Sequence, residues 1–407
     1  MNVLFVTRRY WPAVGGIESY LRHVATSLAQ RHRVLVVAER VDNEPVRRIE
    51  QTLRPLPPFE PFDDGDVRVE PLRLSPTRRA LMGPLVAQVA PGLRRYAYGR
   101  SRHAATALYG RVVAPVLARL AREADVVHMW GGDMIGAAAL RAARQLGVPY
   151  VATPFAHEGR WGDDPAAART YRQADRILAL LEADAALYRR LGVDPRQIEV
   201  VGVATAGEPP GGGAELRRRF SIDGPLVVFL AARRPYKGFD LLLEAAPRVA
   251  ARHPGVTFAF IGPGHPVEGT SILDAGAVDD RERAAWLEAA DVLCLPSESE
   301  ILPSSFLEAW SLGTPVVSSD IPPLAELVAA SGGGVAVPRN AEAVTHALGE
   351  LLADPARLAA MGERGRAYVR QEHALEVVAG RIERVYETVT APAVALEQRP
   401  DLVEASS

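Results

Sequence analysis

Short apolar runs alternate along this chain with stretches whose apolar residues recur every three or four positions. NVLFVT (2–7) is a run of buried-strand type, and after Gly15-Gly16 the segment GIESYLRHVATSLAQRH places Ile17, Tyr20, Leu21, Val24 and Leu28 at helical spacing. RVLVVAE restores a strand, and DVVHMW, PYVATP, DRILAL and IEVVGV repeat the type between helix-like or loop-like sequence. Alternation of this kind predicts a parallel sheet covered by helices. Near residue 204 the pattern lapses into ATAGEPPGGGAE, where Gly and Pro crowd together as in interdomain linkers. It restarts with PLVVFLAA, FDLLLEAAPRVAARH, VTFAFIG, DVLCLP, PVVSS and GVAVP. The expected organisation is therefore an α/β chain of two domains, residues 1–203 and 215–372, joined by a hinge at 204–214. ALEVVAGRIERVYETV, within 373–390, reads as a last helix that packs back on the first domain, and 391–407 reads as a loose tail.

Residues 50–122 fit this scheme worst. A Pro-rich opening, RPLPPFEPFDDGD, precedes arginines spread through apolar sequence, and the segment reads either as a variable insertion on the acceptor side or as a surface helical excursion with solvated arginines. A peripheral membrane contact is a further reading, although no clean amphipathic stretch emerges.

Composition narrows the picture. The length of 407 residues exceeds one ordinary core, and 48% hydrophobic against 24% charged residues is the balance of a soluble globular protein. Lysine plus arginine number 47 against 49 acidic residues, so the net charge of -2 gives no argument for nucleic acid and any anion site must be local. A single cysteine, Cys294 in the apolar run DVLCLP, excludes an internal disulfide and reads as a buried strand thiol. The apolar run in MNVLFVTRRYWP is too short for a signal peptide or a membrane span, so a cytoplasmic place is expected.

The chemistry gathers in the second half. SESEILPSSFLEAW (297–310) sets Glu300 and Glu308 across a loop-to-helix junction. Pro303 tolerates its missing amide at the mouth of a helix that Ser304 or Ser305 can cap, and the unbonded amides of such a start, with the helix dipole, seat a phosphate. Phosphate repels carboxylates, so the glutamates read as acceptors for hydroxyls flanking the phosphates, a sugar on one side and a ribose on the other. The plainer reading of Glu308 is an acidic residue that the dipole favours in a first turn. AARRPYKG places Arg233, Arg234 and Lys237 in a loop after a strand, where an open parallel sheet takes ligands and where cations suit a diphosphate. IGPG (261–264) and AGAVDD (275–280) follow strands and can bring backbone close to a ligand.

The order GGIES, FAHEG, RRPYKG, AGAV, SESEILPSSFLEA, GTPVV resembles the retaining glycosyltransferases of family 4, with the GT-B fold of two Rossmann-like domains facing each other across a cleft. The resemblance implies transfer of a sugar from a nucleoside diphosphate sugar to an acceptor hydroxyl of a glycan, lipid or small natural product. It implies that Glu308 receives the ribose hydroxyls and Glu300 the donor sugar's hydroxyls near the reacting carbon. Arg233 or Arg234, with Lys237, would neutralise the diphosphate. Val278 would lie at the base through its backbone, and Gly262, Leu302, Ser304 and Ser305 would complete the donor site. Gly16, beside Gly15, would let the first domain approach the phosphates, and His157 would face sugar and acceptor. The ordinary reading of a lone histidine is structural.

Two positions depart from the pattern: Pro303 stands where the family often has glycine, and Ala232 where its arginine usually lies. No metal and no cofactor beyond the nucleotide sugar is expected, and the cytoplasm, or the inner face of its membrane, is the expected place. A glycoside hydrolase or a nucleotide-sugar epimerase of the same fold is the alternative. A dehydrogenase would want G-x-G-x-x-G after the first strand, where this chain has RRYWPAVGG.

Overall fold

The run NVLFVT belongs to β1 (Asn2–Arg9), which in the computed structural model lies parallel between β2 (Arg33–Arg40) and β5 (Val126–Trp130). The structure describes residues 1–13, 15–43, 59–83, 85, 100–132, 134–159, 161–205, 211–300 and 302–391. The expected tail from 392, the middle of the expected linker at 206–210, and parts of 50–122 lie outside them. Contacts divide the chain into two units: Met1–Leu180, Asp184–Val201 and the chain from Val378 form the first, Leu181–Ala183 and Gly202–Val377 the second.

β3 (Phe62–Asp64), β4 (Val67–Pro71), β6 (Tyr150–Thr153), β7 (Arg176–Ala179) and β8 (Ile198–Val200) complete the first sheet, in the order β3-β4-β2-β1-β5-β6-β7-β8. Only β3 runs antiparallel to its neighbour. Its central strands are buried without alternation, Val3 to Val6 in β1 and all of β5, because helices cover both faces. The helix Gly16–Ala29 buries Tyr20, Leu21, Val24 and Leu28 as the periodicity predicts. Ile17 is only half-buried, however, and Glu18 is buried in its place, its carboxylate paired with Arg9 at 2.5 Å.

The segment 50–122 differs from the expected surface excursion. β4 joins the sheet beside β2, and the helix Arg100–Leu120 buries Tyr109, Val113 and Leu117 in the core. Arg78 donates to the Val112 carbonyl at 2.8 Å, so one of its arginines holds structure together rather than pointing into water. Spread arginines hid the apolar face of this helix in the sequence.

The second sheet comprises β9 (Leu226–Leu230), β10 (Thr257–Ile261), β11 (Ile272–Gly276), β12 (Val292–Leu295), β13 (Val316–Ser319) and β14 (Gly334–Val337), in the order β11-β10-β9-β12-β13-β14. All its pairs are parallel. Cys294 is buried in β12. The described ends of the expected linker are anchored. Thr205 donates its amide to the His373 carbonyl at 2.9 Å, and the amides of Gly211 and Gly213 both reach one Glu288 carboxylate oxygen at 2.9 Å.

The helix Leu375–Thr390 joins the first unit from Val378 onward. Its Tyr386 hydroxyl meets Nδ1 of the buried His128 at 2.5 Å, and its Glu383 pairs with Arg31 at 2.8 Å and His32 at 2.6 Å. No described helix is long and apolar enough to cross a membrane.

Candidate active site

In the second unit the apolar run of β9 ends at Leu230, and the loop beyond it carries Arg233 and Arg234 ahead of a 3-10 turn, Pro235–Lys237, that ends on Lys237. Gly238 then takes a left-handed conformation, φ 78°, to enter the helix Phe239–Ala250. A Cβ there would stand 2.2 Å from the Pro296 carbonyl oxygen, so glycine is required by conformation and by close approach. That approach lays the basic loop against the loop that follows β12, which carries Glu300.

The two loops are joined chemically. The Glu298 amide donates to the Tyr236 carbonyl at 2.7 Å. The Lys237 ammonium pairs with Oε1 of Glu300, and the Ser297 hydroxyl donates to the same oxygen at 2.9 Å. Ser297 is fully buried and is itself held through its carbonyl by the Ser319 hydroxyl at the end of β13. Glu300 therefore has one carboxylate oxygen fixed by a cation and a hydroxyl.

The arginines separate. Arg233 donates from Nη1 to Asp274 Oδ1 at 2.6 Å, with only 3% of its side chain exposed. Burial opposes ionisation of Asp274, but the amides of Val267 and Gly276 and the Arg233 guanidinium outweigh it and hold the carboxyl below its ordinary range. Arg234 is exposed. Of the two arginines left open by the sequence, Arg234 is the one accessible to a solvent-borne anion, while Arg233 is occupied with the strand β11.

The helix carrying Glu308 spans Ser304–Ser311. Pro303 itself is the N-cap, with φ -72° and ψ 121°, and no side chain caps the helix. The expectation that Ser304 or Ser305 caps it is thus corrected: both are already helical, because the fixed φ of Pro303 sets the entry one residue earlier. The first amide to return to a carbonyl is that of Phe306, bonded to Pro303 at 3.0 Å. The amides of Ser304 and Ser305 have no carbonyl of their own helix within reach, which is the arrangement that receives anions. Leu302, just ahead, is half-buried. Glu308 follows one turn in, its side chain 13% exposed and its Oε2 at 3.1 Å from Arg283 Nε. Arg283 also lies 3.1 Å from Asp280. Sequence reasoning missed Arg283, which sits in a helix of ordinary surface composition, Asp280–Ala289.

Val278 is half-buried in the short loop between β11 and that helix, whose N-terminus Asp279 caps by accepting from the Glu282 amide at 2.8 Å. Gly262 has φ 128°, and a Cβ on it would lie 2.2 Å from the Ala231 carbonyl oxygen. Glycine there is demanded by its own backbone conformation and by the approach of the Ala231–Ala232 backbone, whether or not a ligand is present.

The remaining sequence-predicted residues lie in the first unit. Gly15 is the N-cap of the helix Gly16–Ala29, and a Cβ on it would meet the Glu18 carboxylate at 2.1 Å. A Cβ on Gly16 would meet nothing within 4 Å. His157 exchanges backbone bonds with Trp161 at 2.8 and 3.1 Å, and their rings lie 4.9 Å apart. Among the described residues, no group of three or more histidine, cysteine, aspartate or glutamate side chains is placed to hold a metal ion.

Residues 15–204 match the family model described as glycosyl transferase 4-like domain, and residues 224–354 match that of glycosyl transferases group 1. The chain is 27% identical over 404 residues to a GDP-mannose-dependent alpha-(1-6)-phosphatidylinositol monomannoside mannosyltransferase of Mycolicibacterium smegmatis, covering 89% of this chain and 92% of that one. It is 32% identical over 216 residues, 47% of this chain and 51% of the relative, to a D-inositol 3-phosphate glycosyltransferase of Kribbella flavida. In fold it is similar to Anabaena HepE, solved in complex with UDP, with a TM-score of 0.71 at 17% identity over 95% of this chain and 100% of that one. It is likewise similar to sucrose-phosphate synthase from Thermosynechococcus elongatus, with a TM-score of 0.70 at 18% identity over 95% and 98%. With two parallel-sheet units and both family models matched in order, the chain belongs to the group 1 glycosyltransferases of family 4 and has the GT-B fold.

Proposed function

We propose that this glycosyltransferase moves a hexosyl group from a nucleoside diphosphate sugar to an acceptor hydroxyl, with retention at the anomeric carbon and without a metal ion. The observation that carries the reading is the junction of the basic loop with the glutamate loop at the carboxyl ends of one parallel sheet. Arg234, Lys237 and the helix start at Ser304 and Ser305 form the cationic side, suited to charge that grows on a leaving diphosphate. Glu300 and Glu308 form the acceptor side, suited to the hydroxyls of sugar and ribose. Arg233 serves this site through Asp274, holding the loop rather than the phosphates. The base would lie against the backbone at Val278.

In this reading the bond between the anomeric carbon and the diphosphate oxygen breaks as the acceptor oxygen bonds on the same face. The departing diphosphate takes the acceptor's proton, so no protein nucleophile is consumed. Each glutamate is engaged by a cation, Lys237 or Arg283, an arrangement that orients hydroxyls and does not resemble the acid and nucleophile of a hydrolase.

The name of the Mycolicibacterium relative carries GDP-mannose as donor and a phosphatidylinositol mannoside as acceptor. It supports offering these first, with a lipid-borne acceptor reached peripherally from the cytoplasmic side of a membrane. The test is a thermal-shift screen of nucleotide sugars followed by transfer assays and assignment of the product's anomeric configuration. A donor at a hundred times its dissociation constant stabilises the protein by about 2.7 kcal/mol. An inverted product, free sugar released without acceptor, or an isomerised donor would each overturn the reading.

A further inference from the structure

Three successive carbonyls of the turn Pro235–Lys237 are each faced by a donor from elsewhere in the second unit. The Tyr236 carbonyl accepts from the Glu298 amide at 2.7 Å, and the Lys237 carbonyl lies 3.5 Å from the Ser297 hydroxyl. The Pro235 carbonyl accepts from Nη2 of Arg339 at 3.0 Å, across 104 residues of chain. Because the Ser297 hydroxyl has one proton and Glu300 is nearer at 2.9 Å, the firm tethers are those on Pro235 and Tyr236.

Arg339 belongs to none of the motifs that carry the family resemblance. It follows Pro338 just beyond β14, the edge strand of the sheet, on the carboxyl side where the basic loop also lies. Its Nε is buried and makes no hydrogen bond. A guanidinium with a dehydrated, unsatisfied nitrogen is a costly pose, and a shorter or apolar side chain would avoid that cost. What the pose provides is a fixed donor against the turn. Pro235 has no N–H of its own, and its carbonyl also receives the Gly238 amide, at 3.1 Å, from within the turn. Arg339 is thus the side chain that ties the turn to the far edge of the sheet.

We propose that Arg339 is a positioning residue: by holding the Pro235 carbonyl it fixes the turn, and with it the Lys237 ammonium against Glu300 and the leaving diphosphate. The proposal rests on the role given to Lys237 above. Arg339 has no contact with the substrate in this scheme and acts only through Lys237.

The experiment uses the full chain and a double-mutant cycle of Arg339→Ala and Lys237→Ala, with Arg339→Lys as the conservative variant. Initial rates are measured with GDP-mannose or UDP-glucose, whichever turns over, and binding with bare GDP or UDP. Arg339→Ala is expected to lower kcat about tenfold, to leave the donor KM within about twofold and to shift Tm little. Arg339→Lys, which keeps a donor on a long stem, restores at least half of the loss. In the Lys237→Ala background the Arg339 substitution costs less than twofold. Losses that multiply, or a fall in nucleotide affinity as large as that of Lys237→Ala, would place Arg339 on the ligand itself and overturn the proposal. Full activity of Arg339→Ala beside an inactive Lys237→Ala would also overturn it. Full activity of Lys237→Ala would instead remove the donor-site reading and the proposal with it, so the two failures are told apart. Should the alanine variant not fold, Arg339→Met, which keeps the aliphatic stem, carries the same expectations.

Discussion

Lys237 and Glu300, 63 residues apart in the chain, form an ion pair whose side chains are 19% and 9% exposed. A pair this dehydrated cannot lose one member without leaving the other charge poorly solvated. Lys237→Ala is therefore expected to lower stability by about 2 kcal/mol, measured by urea unfolding. It should lower kcat by about a hundredfold or more, about 2.7 kcal/mol of barrier. Normal turnover in a destabilised variant would make Lys237 a structural residue only.

Glu308 shares its carboxylate with Arg283, so Glu308→Ala removes the proposed ribose acceptor and releases a cation at once. The expected result is a loss of about 1–3 kcal/mol in the affinity for bare GDP or UDP. Calorimetric titration of parent and variant checks it, and equal affinities would dismiss the ribose assignment.

Activity is expected to survive chelation, because in the proposed reading Arg234, Lys237 and the helix amides at Ser304 and Ser305 carry the charge of the diphosphate. Excess EDTA should leave the initial rate within about twofold, about 0.4 kcal/mol in the barrier. Abolition by EDTA with rescue by manganese or magnesium would withdraw the assignment of both glutamates.

A fourth expectation concerns acid stability. His128 is fully buried between Tyr386 at 2.5 Å and Thr153 at 2.8 Å, and burial lowers its pKa to about 3. Folded, it stays neutral; unfolded, it takes a proton as the pH falls through about 6.5. Between those values the unfolded chain binds one more proton, so stability falls with falling pH, by about 2 kcal/mol at pH 5. His128→Gln should lose this part of the slope in denaturant unfolding at pH 7.5 and pH 5. An unchanged slope in the variant would assign the acid sensitivity to other groups.

What the sequence made legible was local. β1, β5, β9 and β12 are short apolar runs, and the helix Gly16–Ala29 has a clear period. What it hid was pairing at a distance. Nothing in the spacing announces that Asp274 occupies Arg233 across 41 residues, or that Arg339 reaches Pro235 across 104. The burial of Glu18 was illegible for the same kind of reason: a helical stripe reads hydrophobicity, whereas this position is decided by the Arg9 guanidinium beside it. β4 was missed because five residues, two of them the charged Arg68 and Glu70, carry little signal, and the strand is made by β2 alongside it.

The assignment of the chain from Val378 to the first unit has a consequence for synthesis. The helix Leu375–Thr390 completes a core whose sheet strands β1 and β5 are made much earlier, with Tyr386 closing on His128 across 258 positions. During translation the first unit must wait, its His128 nitrogen without the Tyr386 hydroxyl, until the whole second unit has emerged. The second unit, whose sheet runs from Leu226 to Val337, can assemble before that. On this connectivity the second unit is free to fold before the first is complete, and a first unit still lacking the helix Leu375–Thr390 exposes apolar surface of the kind that chaperones capture.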